Sequence, residues 1–317
     1  VAKILITGGE GFLGAFLARK HFELGDEVSV LDIRRQDKLD CYKDEARVRR
    51  ITGDVRLPEH VEPLIAESDM VYHFASVVGV NDYIERPRAV LDTTILGSRN
   101  VFECCLKHNK PVLFSSTSEV YGDNHNPLHE EEFRVLGPTH YERWTYSSSK
   151  AVAEHYAYAM QREGLRFIIV RYFNVYGPEL DSPGKGRIIS KFIGNLQKGE
   201  ALHLVDGGQA VRSFCYVDDA IEATVKLAQA RTWGEVVNIG TGRGVTMKQV
   251  AELVNSLAAR PVPLEIISGE KEFGVGFQEI HHRVPVVDKL HKLTGYRAET
   301  SLENGLRKTL EYYGLAR

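Results

Sequence analysis

The chain has 317 residues, 43% of them hydrophobic and 26% charged, with a formal net charge of -3. That length holds one large α/β domain or two modest ones, and the small net charge gives no reason to expect nucleic acid or an anionic membrane as partner. No apolar run approaches the ~20 residues that span a bilayer. The four cysteines form no CxxC pair and the scattered histidines lack zinc spacing, which reads as reduced thiols in a cytosolic protein with no metal site. His281-His282 is not an exception, because neighbours on a strand or helix point apart. Position 1 is Val where an initiator Met is expected, so the numbering is read as starting inside the native chain.

In chain order, short apolar runs alternate with amphipathic ones. Lys3–Thr7 reads as a strand and runs into a glycine-rich turn, then a helix over Phe12–Leu24. Glu27–Leu31 is a second strand. A third ends before Gly53-Asp54-Val55, ahead of a helix at Glu59–Ala66. Met70–Phe74 and Pro111–Ser115 follow as strands, separated by one helix over Pro87–His108. A helix at Tyr146–Glu163 leads to the strand Phe167–Arg171. Short Val-, Ile- and Phe-rich strands covered on both faces, alternating with helices, predict a doubly wound parallel sheet of Rossmann type.

After Tyr172 the chain is broken by Pro178, Pro183, Gly184 and Gly186. Helices are expected at Asp218–Ala230, Thr246–Ala258 and Ser301–Tyr313. Residues 1–172 read as a dinucleotide-binding domain, and 173–317 as a smaller α/β lobe interleaved with the main sheet. Long irregular loops in a compact fold are usually functional, so 178–187 and 269–283 are expected to grip a substrate.

"ILITGGEGFLG" places Gly8, Gly11 and Gly14 between the first strand and the first helix. Gly8 permits the tight turn, Gly11 the approach of a pyrophosphate, and Gly14 close packing of helix on sheet. The amide groups at the helix start then hold phosphate. A second strand ends in Asp32 about 20 residues on, where a carboxylate would accept hydrogen bonds from an adenosine ribose and favour NAD over NADP. Arg34 and Arg35 argue against that preference, since a nearby arginine can hold a 2′-phosphate. Asp54 is expected at an adenine edge, or else as a turn or cap residue.

"YSSSK" sets Tyr146 and Lys150 four apart on one helix face. An ammonium beside a phenol is expected to draw its pKa from about 10 toward neutrality. Such a tyrosine can take the proton of a sugar hydroxyl while hydride leaves for NAD.

"TGGEGFLG", "GDV", "HFAS", "SSTSEVYG", "YSSSK", "RYFNVYGP" and "VDD" occur in this order over nearly the whole chain. Together they resemble the extended short-chain dehydrogenase/reductases that act on nucleotide sugars: epimerases, 4,6-dehydratases and decarboxylases. The resemblance implies that Thr117 joins Tyr146 and Lys150 as a triad. It implies NAD contacts at Phe12, Leu13, Ile33 and Val55, at Phe74, Ala75 and Ser76, at Tyr146 and Lys150 as well as their place in the triad, and at Tyr172 and Val175. It places Asn174 beside nicotinamide and substrate, and makes Arg187 and Arg212 contacts for the nucleotide diphosphate or base, a role that suits the arginine fork. It implies a homodimer built on the helices near 88–108 and 146–163. Val90, Leu91, Ile95, Val101 and Phe102 on the first of these fit either that interface or the sheet.

All three reactions open by oxidising C4 of the sugar, so the branch is decided by groups outside the triad. Many 4,6-dehydratases carry Asp-Glu after the Thr, whereas this chain has Ser118-Glu119. Thr-Ser-Glu is similar to the UDP-glucuronic acid decarboxylases, in which Ser118 and Glu119 would orient the sugar and manage the proton needed at C5. "RWTYSSSK" and "GFQEIHHRVPVVDKLHKLTGY" resemble segments of that branch, the second making Arg283 a catalytic cation or carboxylate-steering group. GDP-mannose 4,6-dehydratases also carry Thr-Ser-Glu, and UDP-glucuronate 4-epimerases share the scaffold, so both stay open as alternatives. A redox-sensing NAD-binding protein without catalysis would typically lack the Tyr or the Lys.

Overall fold

A computed structural model describes the chain except for Asp44 and residues 274–278. Part of the expected substrate loop at 269–283, and the start of the "GFQEIHH" segment, therefore lie outside the described residues.

Five of the strands are β1 (Lys3–Thr7), β2 (Glu27–Asp32), β3 (Val48–Thr52), β4 (Met70–His73) and β5 (Val112–Thr117), followed by β6 (Phe167–Tyr172) and β7 (Val175–Tyr176). The second half adds β8 (Leu202–Val205), β9 (Val211–Arg212), β10 (Cys215–Tyr216), β11 (Glu235–Ile239), β12 (Val245–Thr246), β13 (Leu264–Ile267) and β14 (His282–Arg283). The main sheet has seven strands in the order β11-β6-β5-β4-β1-β2-β3, and every pairing in it is parallel. The order reverses at β1, so the crevice at the carboxyl ends of β1 and β4 is where such sheets take their ligands.

The strands alternate between two cores. Ile4, Ile6, Val28, Val30, Ile168 and Val170 pack on one face. Leu5, Leu31, Val71, Phe114, Phe167 and Ile169 pack on the other. Each full burial of such a side chain is worth about 1.5–3 kcal/mol, and the period of two sends neighbours to opposite layers.

β11 pairs with β6 across residues 235–239 and 168–172, so the second half of the chain supplies one edge of the first half's sheet. The small sheet β12-β9-β14 sets Arg283 directly opposite Arg212, and Arg283 reaches Glu119 and Asn174, just past the ends of β5 and β6. The helices expected at 218–230, 246–258 and 301–313 are observed as Val217–Ala230, Met247–Leu257 and Leu302–Tyr312.

The helix expected to run unbroken over 87–108 does not. Pro87–Leu91 and Gly97–Lys107 are α-helical, and Asp92–Leu96 between them is a π-helical turn. The widened turn places buried Thr94 3.1 Å from the Ser76 hydroxyl at the end of β4. Such insertions in helices often lie beside functional sites. Among the described residues, no helix is long and apolar enough to cross a membrane.

Candidate active site

The glycine turn forms as its spacing requires. Gly8 has φ +71°, and a Cβ there would lie 2.6 Å from the Ala75 amide nitrogen. A Cβ on Gly14 would lie 2.4 Å from the Gly8 carbonyl oxygen. Helix Phe12–Glu23 begins after Gly11 with no side-chain cap, which leaves its first amide groups for a ligand. Half-buried Asp32 closes this edge. Its carboxylate accepts from the amides of Glu10 at 3.2 Å and Arg34 at 3.4 Å, and burial raises its pKa. An uncapped helix start, a cradle that side chains would fill, and a carboxylate at the end of β2 fit an adenine dinucleotide.

The remaining residues expected at the cofactor gather along the same strand ends. Phe12 is buried, Leu13 half-buried and Ile33 exposed. Val55 is buried against Gly97. Phe74, Ala75 and Ser76 follow β4, whereas Tyr172 and Val175 flank the end of β6. The Tyr172 hydroxyl is taken up by Thr224 at 2.7 Å. Asp54 is held by Arg56, which donates from its backbone at 2.9 Å and from its guanidinium at 2.5 Å, so its carboxylate already fixes the turn after β3.

Thr117 ends β5 and Tyr146 lies in the helix Thr145–Gln161. The Thr117 hydroxyl acts to lower the pKa of the Tyr146 phenol, and the Tyr146 ring stacks on Tyr83 with centroids 4.8 Å apart. Lys150 is buried one turn on, 5.9 Å from the Tyr146 ring centre, and donates to the Ser115 carbonyl at 2.6 Å. The expected lowering of the tyrosine pKa is not what this site produces. Burial pushes the phenol well above its ordinary value, the charges on Tyr83 and Glu119 add to that, and Arg187 and Thr117 only oppose it. Burial also draws Lys150 down to about 7, with Glu154 pulling the other way. Desolvation outweighs the local partner in both groups. Behind them, Glu154 is fixed by Ser116 at 2.5 Å and by Arg171 at 2.6 Å.

Glu119 stands in the short 3-10 helix Ser118–Tyr121, where its backbone amide donates to the Thr117 hydroxyl at 3.2 Å. One carboxylate oxygen meets Arg283, and the other lies 2.6 Å from Arg143. Burial favours the neutral acid, but the two guanidinium charges outweigh it and hold Glu119 far below the usual carboxylate range. Arg283 also donates to the Asn174 side-chain oxygen at 2.9 Å. Asn174 adopts φ 33°, a left-handed conformation that asparagine tolerates better than most residues. Among the described residues, Arg143 Nη1, Asn174 Nδ2 and Arg283 Nε are three buried donors of this cluster without a hydrogen-bond partner, the first of them lying in the 2.6 Å ion pair with Glu119 Oε2. Ser118 is buried beside Glu119.

Arg212 reaches the same cluster from β9 and pairs with Glu279 at 2.5 Å. Burial and the charge of Arg283 lower it to about 10. Arg187 stands at the start of helix Ile188–Lys198 and is bound by Asp181 at 2.8 Å, with its guanidinium 5.8 Å from the Phe12 ring centre. Sequence reasoning missed Arg143, Tyr83 and Glu279. The first lies in the quoted "RWTYSSSK" run, and its position three residues before Tyr146 was the available signal.

The family model described as "NAD dependent epimerase/dehydratase family" matches residues 4–240. The chain belongs to this family. It is an enzyme of the extended short-chain dehydrogenase/reductase type, and its cofactor is NAD. It is 32% identical to the UDP-N-acetyl-alpha-D-glucosaminuronate decarboxylase of Bacillus cytotoxicus, over 98% of this chain and 97% of the relative. It is also 32% identical to UDP-glucuronic acid decarboxylase 1 of Danio rerio, over 98% of this chain and 72% of that protein. Among solved structures it is similar to the UDP-glucose 4-epimerase of Thermotoga maritima with UDP-glucose, at 29% identity, 98% coverage of both chains and a TM-score of 0.84.

Proposed function

We propose that the enzyme decarboxylates a UDP-hexuronate, UDP-glucuronate first, to a UDP-pentose or UDP-4-keto-pentose through a C4-keto intermediate. The observation that carries this reading is the Glu119–Arg143–Arg283 cluster beside Tyr146, in which Arg283 Nε and Asn174 Nδ2 are buried donors with neither a hydrogen bond nor an ion pair of their own among the described residues. Two guanidinium groups and one carboxylate leave one net positive charge next to the triad. A neutral hexose offers that charge nothing, whereas a C5 carboxylate neutralises it and supplies acceptors for Arg283 Nε and Asn174 Nδ2. The two decarboxylase relatives support the same branch.

The Gly8–Gly14 turn and Asp32 would hold NAD, which would supply the hydride acceptor for C4 of the sugar. Tyr146 takes the C4 hydroxyl proton, with Arg187 and Thr117 opposing the rise that burial gives its phenol. The resulting ketone makes the C5 carboxylate a β-keto acid, so its C–C bond breaks to release CO2 and leave an enolate. Glu119 matters here because it already occupies both arginines. They attract one carboxylate without holding it as tightly as free guanidinium groups would, and binding the ground state too well would slow its loss. A proton must then reach C5 to give the UDP-4-keto-pentose, and a UDP-pentose would further need the hydride returned to C4 with a proton from Tyr146. Glu119, held ionised, is not suited to supply the C5 proton, which departs from the role its sequence position suggested.

In this reading Arg212 and Arg187 serve the nucleotide diphosphate, residues 1–172 carry cofactor and triad, and 173–317 hold the nucleotide sugar. The enzyme works in the cytoplasm as a homodimer. Leu91, Leu96, Val152 and Tyr158 are exposed on the two helices expected to pair, whereas Val90, Val101 and Phe102 are spent on the core. A monomer in sedimentation at micromolar concentration would reject the dimer.

The substrate assignment is tested by binding. Wild type is expected to hold UDP-glucuronate more tightly than UDP-glucose. Arg143→Ala is expected to weaken UDP-glucuronate about tenfold or more, the usual worth of a charged hydrogen bond, and to leave UDP-glucose nearly unchanged. Equal losses for both sugars would remove the carboxylate from this account.

A further inference from the structure

The sequence shows no metal-ligand spacing, yet the fold gathers one such set from distant positions. Asp123, His125 and His281 each bring one ligand atom within 4.8 Å of the others. Asp123 follows Gly122, which has φ +67°, bridges Val135 and has no room for a Cβ against the Val135 carbonyl. The Asp123 amide donates to that same carbonyl at 2.9 Å. On the other side, the His281 carbonyl accepts from Val211 at 2.8 Å, and the His281 amide donates to Asp123 Oδ1 at 3.0 Å. That hydrogen bond leaves Oδ2 facing both imidazoles, 3.5 Å from His281 Nδ1 and 3.6 Å from His125 Nε2. The two rings stack at 6.1 Å.

We propose that Asp123, His125 and His281 form a binding site for a divalent transition metal ion of zinc type, which clips the Arg283 strand to the Glu119 loop. Bonds of about 2.0–2.2 Å in a tetrahedral shell set donor atoms roughly 3.4 Å apart, and both Asp–His separations lie close to that. His125 is exposed, so a swing of its ring closes the remaining His–His distance. Two imidazoles and one carboxylate favour zinc, cobalt, nickel or copper over magnesium or calcium, which prefer oxygen donors. The exposure of both rings leaves the other coordination positions to water. His281 and Asp123 are 158 residues apart in sequence. Asp123 lies four residues after Glu119, and His281 two before Arg283. A metal ion joining them fixes the distance between the two elements that carry the charge cluster, and ligation of the folded chain alone raises its stability.

The test uses untagged full-length protein freed of metal by chelation. Zinc is titrated in competition with a chromophoric chelator, and thermal unfolding is followed with and without zinc. The expected result is one saturable equivalent, a higher Tm with zinc, and slower amide exchange across residues 281–283. His125→Asn alters an exposed side chain whose partners are the other two ligands, and it is expected to lower the affinity about a hundredfold, at least the loss that a disturbed outer-sphere partner brings. Asp123→Asn is expected to do the same, while His291→Asn, exposed on the helix Asp288–Thr294, changes nothing. Absence of saturable binding, or an equivalent retained by both ligand variants, overturns the proposal.

Discussion

Glu119→Gln is expected to lower the unfolding free energy by about 3–5 kcal/mol, the range for removing one partner from a buried ion pair. The substitution leaves Arg143 and Arg283 facing each other with no negative charge between them, and both are nearly buried. The pH dependence carries a second signature. A carboxylate whose folded-state pKa is depressed stabilises the protein fully above its unfolded value, near 4.3 to 4.5, and loses that contribution as pH falls. Wild type should therefore lose stability on acidification below about pH 5, and the variant should lose less over the same interval. Kinetics give a third readout. With both arginines freed, a uronate should bind at least as tightly while turning over more slowly, so kcat and KM fall together. Chemical denaturation at pH 7 and pH 4, with steady-state kinetics, checks all three. Wild-type stability and kcat in the variant would show that the cluster does not hold the site as described.

Tyr146→Phe is expected to reduce kcat by about 10²–10⁴-fold, the usual share of a positioned acid–base group. Losses elsewhere should be small. The phenol interacts with the Thr117 hydroxyl, a contact worth no more than about 1 kcal/mol, and its ring keeps the stack on Tyr83 when the hydroxyl is gone. NAD affinity and the unfolding transition should then stay near wild type while turnover collapses. A variant that turns over at more than a tenth of the wild-type rate would move the proton transfer to another group. One that no longer binds NAD would show that Tyr146 builds the cofactor site instead.

The sheet was legible because each of its inner strands must be apolar on both faces, and the glycine turn because only glycine fits Gly8 and Gly14. Thr117, Tyr146 and Lys150 were legible because a strand end and one helix face bring them together. What the chain order hid is long-range. Arg143 meets Glu119 only once the 3-10 helix and the Thr145–Gln161 helix pack. Arg283 arrives from 164 positions away, and it was reached through resemblance, not spacing. Burial was hidden as well, and it reverses the expected direction for Tyr146. The π-helical turn at Asp92–Leu96 left no mark in a pattern that reads as one continuous helix.

The central claim is the loss of the carboxylate. UDP-glucuronate labelled with ¹³C at C6 is incubated with the enzyme and NAD, and products are followed by mass spectrometry and by trapping of gas. The account predicts labelled CO2 and a UDP-pentose or UDP-4-keto-pentose that has lost the label. A C4 epimer of unchanged mass, with the label still in the sugar, would contradict it and make the enzyme an epimerase. Loss of water from a neutral nucleoside-diphosphate hexose, with UDP-glucuronate untouched, would make it a dehydratase.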